Sequence, residues 1–305
     1  MSVRDTYYFP PVETHLLRSK YVPQTFRIDV MLPLQRRGDT RRFPVVYVTD
    51  GNAVFDLFKS ISWLMQQSER EAPPFILVAI GYPSDTPMAG SLLRERDLTF
   101  AGCPNFRGLE VSLEGVATIG KGEKDFDGAE DFQRFMGEEL FVFIERHYPA
   151  MPLDRAYFGH SSGARFGLFT LFTQTHLFRN YITSSPAVLF HGTTPDGTRY
   201  ENHEFMLERA RAFAASGKSL HGVRLYLSAG TEEEFEPELA HWRITSGYYR
   251  LAALLKAAAI PGLTLITEVL VGESHTTTWP IAFMHGIRAV LGSQINLAEA
   301  RELQP

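Results

Sequence analysis

Ala156-Tyr157-Phe158-Gly159-His160-Ser161-Ser162-Gly163, followed by Ala164-Arg165-Phe166-Gly167-Leu168-Phe169, decides how this chain is read. The apolar run before Gly159 has the character of a strand end. The apolar stretch after Gly163 has that of a buried helix, so Ser161 falls at the apex of a strand–turn–helix. A G-x-S-x-G turn in that setting holds its serine in a strained backbone conformation and exposes the hydroxyl. The glycines at 159 and 163 have a steric task, because side chains there would collide where strand and helix pass closely. Without the flanking elements the pattern carries little, glycine and serine being common residues.

Working outward, β-forming residues at His15–Ser19 and Tyr21–Leu32 predict strands. Phe43–Thr49 and Phe75–Ile80 are continuously apolar, as strands buried on both faces are. Asp50-Gly51-Asn52 breaks the first of these, and Val54–Gln66 has helical spacing. The stretch 81–128 is dense in glycine, proline and charge and is expected to be an irregular segment at the rim of a pocket. Asp131–Tyr148 is amphipathic and helical. Tyr181–Ser184 is a strand ended by Ser185-Pro186, and Glu201–Ala215 is helical. Val223–Ser228 and Leu263–Val271 are the last strands, with helices at Pro237–Ala259 and Pro280–Leu291. Alternating strands and helices predict an α/β fold: a mostly parallel sheet of about eight strands covered on both faces. No repeat or linker divides the chain, so residues 1–305 are expected to form one domain.

Composition narrows the classes of function. The chain has 305 residues, 44% of them apolar, and a net charge of −5 with no basic run, which argues against nucleic acid as a partner. Cys103 is the only cysteine, which excludes an internal disulfide and a cysteine-rich metal site. No segment approaches a membrane span, and Met1–Pro11 lacks a basic stretch followed by an apolar one, so the cytoplasm is the expected compartment. The run Lys121-Gly122-Glu123-Lys124-Asp125 reads as solvated loop.

A serine hydroxyl needs a base, and the base needs a partner to fix its tautomer. On a parallel sheet such groups gather at the C-terminal strand ends. Of the 10 histidines, His275 alone combines late position, placement after the last strand and a small flexible lead-in. His285 sits among apolar helical residues and reads as structural, His160 as a packing residue and His241 as part of a helix. The acid is expected in Thr231-Glu232-Glu233-Glu234, after the preceding strand. The short loop favours Glu233, with Glu232 and Glu234 as alternatives. Oxyanion donors are expected from the backbone N–H groups of Ser162 and Asn52, with Gly51 letting the backbone approach the substrate. Tyr82, Arg96, Phe190 and Trp279 lie where they could contact substrate, although aromatic residues at such places also fill cores. Arg94, Arg96 and Asp97 read as an internal salt bridge ordering a loop, with a polar-substrate site as the alternative.

Assembled, these pieces resemble the putative-esterase family of α/β-hydrolases, which includes esterase D-like enzymes, trilactone-siderophore esterases, feruloyl esterases and mycolyltransferases. Phe43–Asn52, Ile80-Gly81-Tyr82, Arg94–Thr99, Gly128–Phe132, the serine turn, Ser184-Ser185-Pro186 and Gly272–His275 with Trp279 carry the resemblance over nearly the whole chain. Asp50–Asp56 and the Arg-x-Arg-Asp-Leu-Thr string are most similar to the siderophore-esterase branch. The resemblance implies an α/β-hydrolase fold and a serine esterase with Ser161 as nucleophile, His275 as base and Glu233 as acid. It implies no metal or organic cofactor, and a small-molecule ester as partner: a siderophore trilactone, an aryl ester or a small acyl ester. An acyltransferase using the same site, or an inactive binding protein on the same fold, are the alternatives. One departure is Ala164-Arg165, where relatives have a second glycine after the turn.

Overall fold

A computed structural model of the protein describes residues 12–33, 40–67, 71–83, 87–104, 111–113, 117–119 and 126–292. The stretch read for a secretory signal, Met1–Pro11, and the charge run Lys121–Asp125 lie outside the described residues. The strands are β1 (Val12–Arg18), β2 (Thr25–Met31), β3 (Phe43–Val48), β4 (Ile76–Gly81), β5 (Val111–Leu113), β6 (Ala117–Ile119), β7 (Ala150–His160), β8 (Asn180–Ser184), β9 (Phe190–Thr193), β10 (Arg199–His203), β11 (Val223–Gly230) and β12 (Leu263–Leu270). The helices are α1 (Gly51–Met65), α2 (Pro87–Leu98), α3 (Ala129–Arg134), α4 (Phe141–His147), α5 (Ser162–Thr173), α6 (Phe205–Ala215), α7 (Ile244–Ala258) and α8 (Thr278–Leu291), with a π-helical turn at Phe135–Leu140 and a 3₁₀ turn at Glu233–Phe235.

Eight strands form one sheet in the order β1-β2-β4-β3-β7-β8-β11-β12. β1 and β2 pair antiparallel, as do β2 and β4, and the remaining neighbours are parallel. β3, entirely buried, shows why the sheet needs helices on both sides. Its Val45 and Tyr47 face one core with Tyr157, Phe166 and Tyr181. Its Val46 and Val48 face the other, with Phe58 of α1 and Phe283 of α8. There the rings of Phe58 and Phe283 stack at 4.0 Å, and Phe158 meets Phe58 edge-on at 4.9 Å. Burying each such ring contributes about 1.5–3 kcal/mol, so this seam fixes α1 and α8, and with them two strand-end loops, against the sheet.

The parallel register determines what meets at the sheet's rim. Val48 pairs with Phe158, His160 with Ser184, and Ser184 with Ser228. The loops that follow β3, β7, β8, β11 and β12 therefore emerge on the same side.

Three expectations need correction. The stretch 81–128 is not irregular throughout, since Pro87–Leu98 is helical. The helix expected over Glu201–Ala215 begins only at Phe205, and Arg199–His203 pairs with β9 as a hairpin. Its turn is Pro195-Asp196-Gly197, with Gly197 at φ +85° and the Asp196 carboxylate accepting from Thr194 Oγ1 at 2.7 Å and from the Thr198 N–H at 3.0 Å. A Pro-Asp-Gly turn of this kind favours strand pairing over a helix start. The helix expected over Pro237–Ala259 begins at Ile244, after left-handed Arg243 (φ 45°), so His241 lies in the turn before it. Among the described residues, no helix is long and apolar enough to cross a membrane.

Candidate active site

Ser161 stands between the end of β7 and the start of α5 with φ 57° and ψ −117°, a conformation costly for a residue with a side chain. Its N–H donates to the Ser184 carbonyl at 3.0 Å, and its carbonyl accepts from the Arg165 N–H at 3.0 Å. A Cβ on Gly159 would lie 2.4 Å from the backbone of Gly163, and one on Gly163 would lie 2.7 Å from Thr49 Oγ1. Both glycines thus do what the sequence required of them. Ser162 is the first residue of α5 and Asn52 the second of α1, positions whose backbone N–H has no acceptor within the helix. The Asn52 side chain bridges to the next loop, accepting from the Tyr82 N–H at 2.6 Å and donating to the Tyr82 carbonyl at 2.7 Å. Gly51 also has a packing task. A Cβ there would stand 3.0 Å from the Ile80 backbone, so its smallness lets α1 pack onto the end of β4.

His275 lies between β12 and α8, its side chain 17% exposed, and Glu233 is fully buried beneath it. Nδ1 of His275 is 3.6 Å from Oε1 of Glu233, within ion-pair range and beyond a hydrogen bond. Neither His275 Nδ1 nor Glu233 Oε2 has a hydrogen-bond partner. Oε1 of Glu233 accepts from Ser185 Oγ at 2.5 Å and from Thr278 Oγ1 at 3.3 Å. The other two glutamates turn elsewhere. Glu232 accepts from Thr231 Oγ1 at 3.1 Å, and Glu234 accepts from the Ser246 N–H at 2.8 Å. Glu236 holds the histidine loop by accepting the His275 backbone N–H at 2.6 Å. His285 pairs with Glu268 at 2.9 Å, a structural contact.

His160, the residue before Ser161, joins the two halves. Its ring centroid is 4.3 Å from that of His275 and 4.1 Å from Trp279, on which it stacks, and its Nε2 meets Thr278 Oγ1 at 3.0 Å. It packs, as expected, but it packs against His275. His160, Glu233 and His275 each bring one potential metal-ligand atom within 4.8 Å of the others, although Thr278 and Ser185 already engage His160 Nε2 and Glu233 Oε1. Burial, reinforced by the nearby His275 and Arg94 charges, pushes the His160 pKa well below its ordinary 6.5. The unfolded chain takes up this proton near pH 6.5 and the folded protein does not. The resulting stability is therefore complete above that pH and lost as pH falls below it. We expect thermal melts to show this group contributing a slope of about 1.4 kcal/mol per pH unit only below about pH 6.5, down to pH 5, and little between pH 7.5 and 6.5. His160→Asn should flatten the slope by that amount, and an unchanged slope would refute the assignment.

Charges of alternating sign run behind the turn. Arg94 donates through Nε and Nη2 to Asp50, through Nη2 to the His160 carbonyl at 3.2 Å, and through Nη1 to Glu95 at 2.5 Å. Glu95 also accepts from Ser162 Oγ at 3.1 Å and from fully buried Arg165 at 3.3 Å. Burial alone would raise Glu95, but Arg94 and Arg165 outweigh it and hold the carboxyl below its usual range. Arg165, the departure from the family pattern, thus pairs with an acid. Arg94 ties the start of α1 to the serine turn, as an internal salt bridge rather than an open cluster.

The four residues expected to contact substrate are placed as follows. Tyr82 is 6% exposed and donates to Asp97 at 3.2 Å. Arg96 is committed to Asp97 at 2.7 Å and to Gln24. Phe190 is buried against Tyr200, His241 and Trp242. Trp279, partly buried, backs His160. Cys103 is buried, which pushes its thiol up to about 12 and leaves it inert at neutral pH. Sequence reasoning missed Glu236, Ser185 and Thr278 as neighbours of His275 and Glu233. Ser185 sits in the Ser-Ser-Pro string at the end of β8, which was the one available signal.

Residues 111–286 match the family model described as putative esterase. The chain is similar to the ferri-bacillibactin esterase BesA of Bacillus subtilis, being 26% identical over 285 residues that cover 92% of this chain and 90% of that protein. It is 28% identical over 261 residues to the siderophore triacetylfusarinine C esterase of Aspergillus fumigatus, covering 80% of each. Among solved structures, the siderophore hydrolase EstA from Aspergillus nidulans shares 25% identity at a TM-score of 0.72, over 94% of this chain and 96% of that one.

Proposed function

The chain belongs to the putative-esterase family, and from that premise we propose that this carboxylic ester hydrolase cleaves siderophore-type esters through an acyl-enzyme on Ser161. In this reading His275 takes the Ser161 proton as Oγ attacks the ester carbonyl. The oxyanion accepts from the free N–H groups of Ser162 and Asn52, at the starts of two helices whose dipoles favour negative charge there. His275 then passes its proton to the departing alkoxide. It next draws a proton from water as that water attacks the acyl carbon, and on collapse of the tetrahedral intermediate it returns the proton to Ser161 Oγ, releasing the acid and free Ser161. Glu233 faces Nδ1 and favours the tautomer that leaves Nε2 free to accept a proton.

The observation that carries this proposal is the strained Ser161 backbone, with the His275 ring against the adjoining residue of the same strand end. The names of the relatives support the substrate class: a ferri-bacillibactin esterase, a siderophore triacetylfusarinine C esterase and a siderophore hydrolase. A hydrolysis screen over p-nitrophenyl acyl esters, feruloyl esters and cyclic siderophore trilactones tests it. The trilactone is expected to give the highest kcat/KM, by about 10-fold or more. Turnover of the simple esters with none of the trilactone would overturn the substrate class.

A further inference from the structure

We propose that Ser185 is a positioning residue that sets the proton affinity of His275 by holding the Glu233 carboxylate, an inference resting on the assignment of His275 and Glu233 above. The closest partner of Glu233 Oε1 is the Ser185 hydroxyl, at 2.5 Å, whereas His275 Nδ1 is 3.6 Å away. A hydroxyl this close to a carboxylate makes a strong charge-assisted bond and draws off negative charge that would otherwise face the imidazole.

Ser185 is not free to move. It is fully buried, and its N–H is tied to the Ser228 carbonyl at 2.7 Å. Its φ of 54° lies in the left-handed region that non-glycine residues avoid. Strain at a buried serine whose hydroxyl meets a buried carboxylate is the kind retained for placement. Thr278 adds a second clamp, with Oγ1 3.3 Å from Glu233 Oε1, 3.2 Å from Ser185 Oγ and 3.0 Å from the His275 carbonyl. The groups facing His275 are thus Glu233 from the 3₁₀ turn, Glu236 at its backbone N–H, and His160 from β7, itself in the field of Arg94. Among them only Glu233 faces Nδ1 with a negative charge, and Ser185 modulates that charge.

Removing the hydroxyl leaves more negative charge facing Nδ1 and frees the carboxylate to approach it. Both effects favour the imidazolium, so the proton leaves His275 at higher pH. The test is the His275 titration followed by NMR in Ser161→Ala protein, with and without Ser185→Ala or Ser185→Gly. A parallel arm reads the acid limb of kcat/KM for a p-nitrophenyl ester in proteins that keep Ser161. Glycine relieves the left-handed strain and alanine keeps it, yet both lack the hydroxyl. The expected result is an upward shift of about 1 pH unit in both variants, whatever their difference in Tm. A His275 titration unmoved or lowered in both would overturn the proposal, as would a shift in only one, which would trace to strain. Should neither variant fold, Ser185→Cys, a near-isostere with a weak donor, is expected to shift the titration in the same direction. Absence of ester turnover in the wild-type protein would count against the esterase reading alone, because the NMR arm needs no turnover.

Discussion

Replacing Ser161 by alanine is expected to lower ester hydrolysis by about 10³-fold or more, and His275→Ala by a similar factor, with the fold intact. Ser161 is held through its backbone, by hydrogen bonds to Ser184 and Arg165, so truncating the side chain leaves the turn in place. His275 is anchored through its own backbone N–H to Glu236, so the loop keeps its anchor when the ring is lost. Loss of either group removes a participant in a single proton transfer, so the double variant should be little worse than the single ones. Steady-state kcat/KM on a p-nitrophenyl ester, with Tm measured alongside, checks this. Near-normal turnover by either single variant would exclude the mechanism.

The second large effect is expected at Glu233. Glutamine there keeps the volume and can still accept from Ser185 Oγ, but it replaces a charge with an amide. If its NH₂ faces Nδ1, the imidazole is driven to the tautomer whose Nε2 already carries a proton and cannot take one from serine. We expect Glu233→Gln to lower kcat by about 10²-fold or more with a smaller change in KM. Glu232→Gln should stay within about 2-fold, because that side chain is exposed and bonded to Thr231. Glu234→Gln should be felt mainly in Tm, since Glu234 holds Ser246 in the first turn of α7. Comparable losses in all three variants would mean that the loop, and not one carboxylate, supports the base.

The sheet was legible in the sequence because its central strands are continuous apolar runs, and Phe43–Val48 and Ile76–Gly81 are buried along their whole lengths. The serine turn was legible because the steric demand on Gly159 and Gly163 is local. The β9–β10 hairpin was missed although its Pro-Asp-Gly turn was in view, because Glu201 and its neighbours also suit a helix start. The choice among three adjacent glutamates could only be ranked. Which one turns inward depends on Ser185 and Thr278, 48 and 45 residues away in sequence. The same long-range packing decided the fate of Arg94, Arg96 and Tyr82. The pairing of Arg96 with Asp97 next to it was legible as an internal salt bridge, but nothing local records that Asp50 would take up Arg94, Gln24 the other end of Arg96, or Asp97 the Tyr82 hydroxyl.

The most direct test of the central claim is covalent. A fluorophosphonate reacts only with a serine whose proton is being withdrawn, so treating the folded protein and mapping the adduct by peptide mass spectrometry reads Ser161 activation without reference to any substrate. Stoichiometric labelling at Ser161, abolished in Ser161→Ala and strongly slowed in His275→Ala, is the predicted outcome. Folded protein that hydrolyses esters while Ser161 stays unlabelled, or that carries the adduct elsewhere, would contradict it.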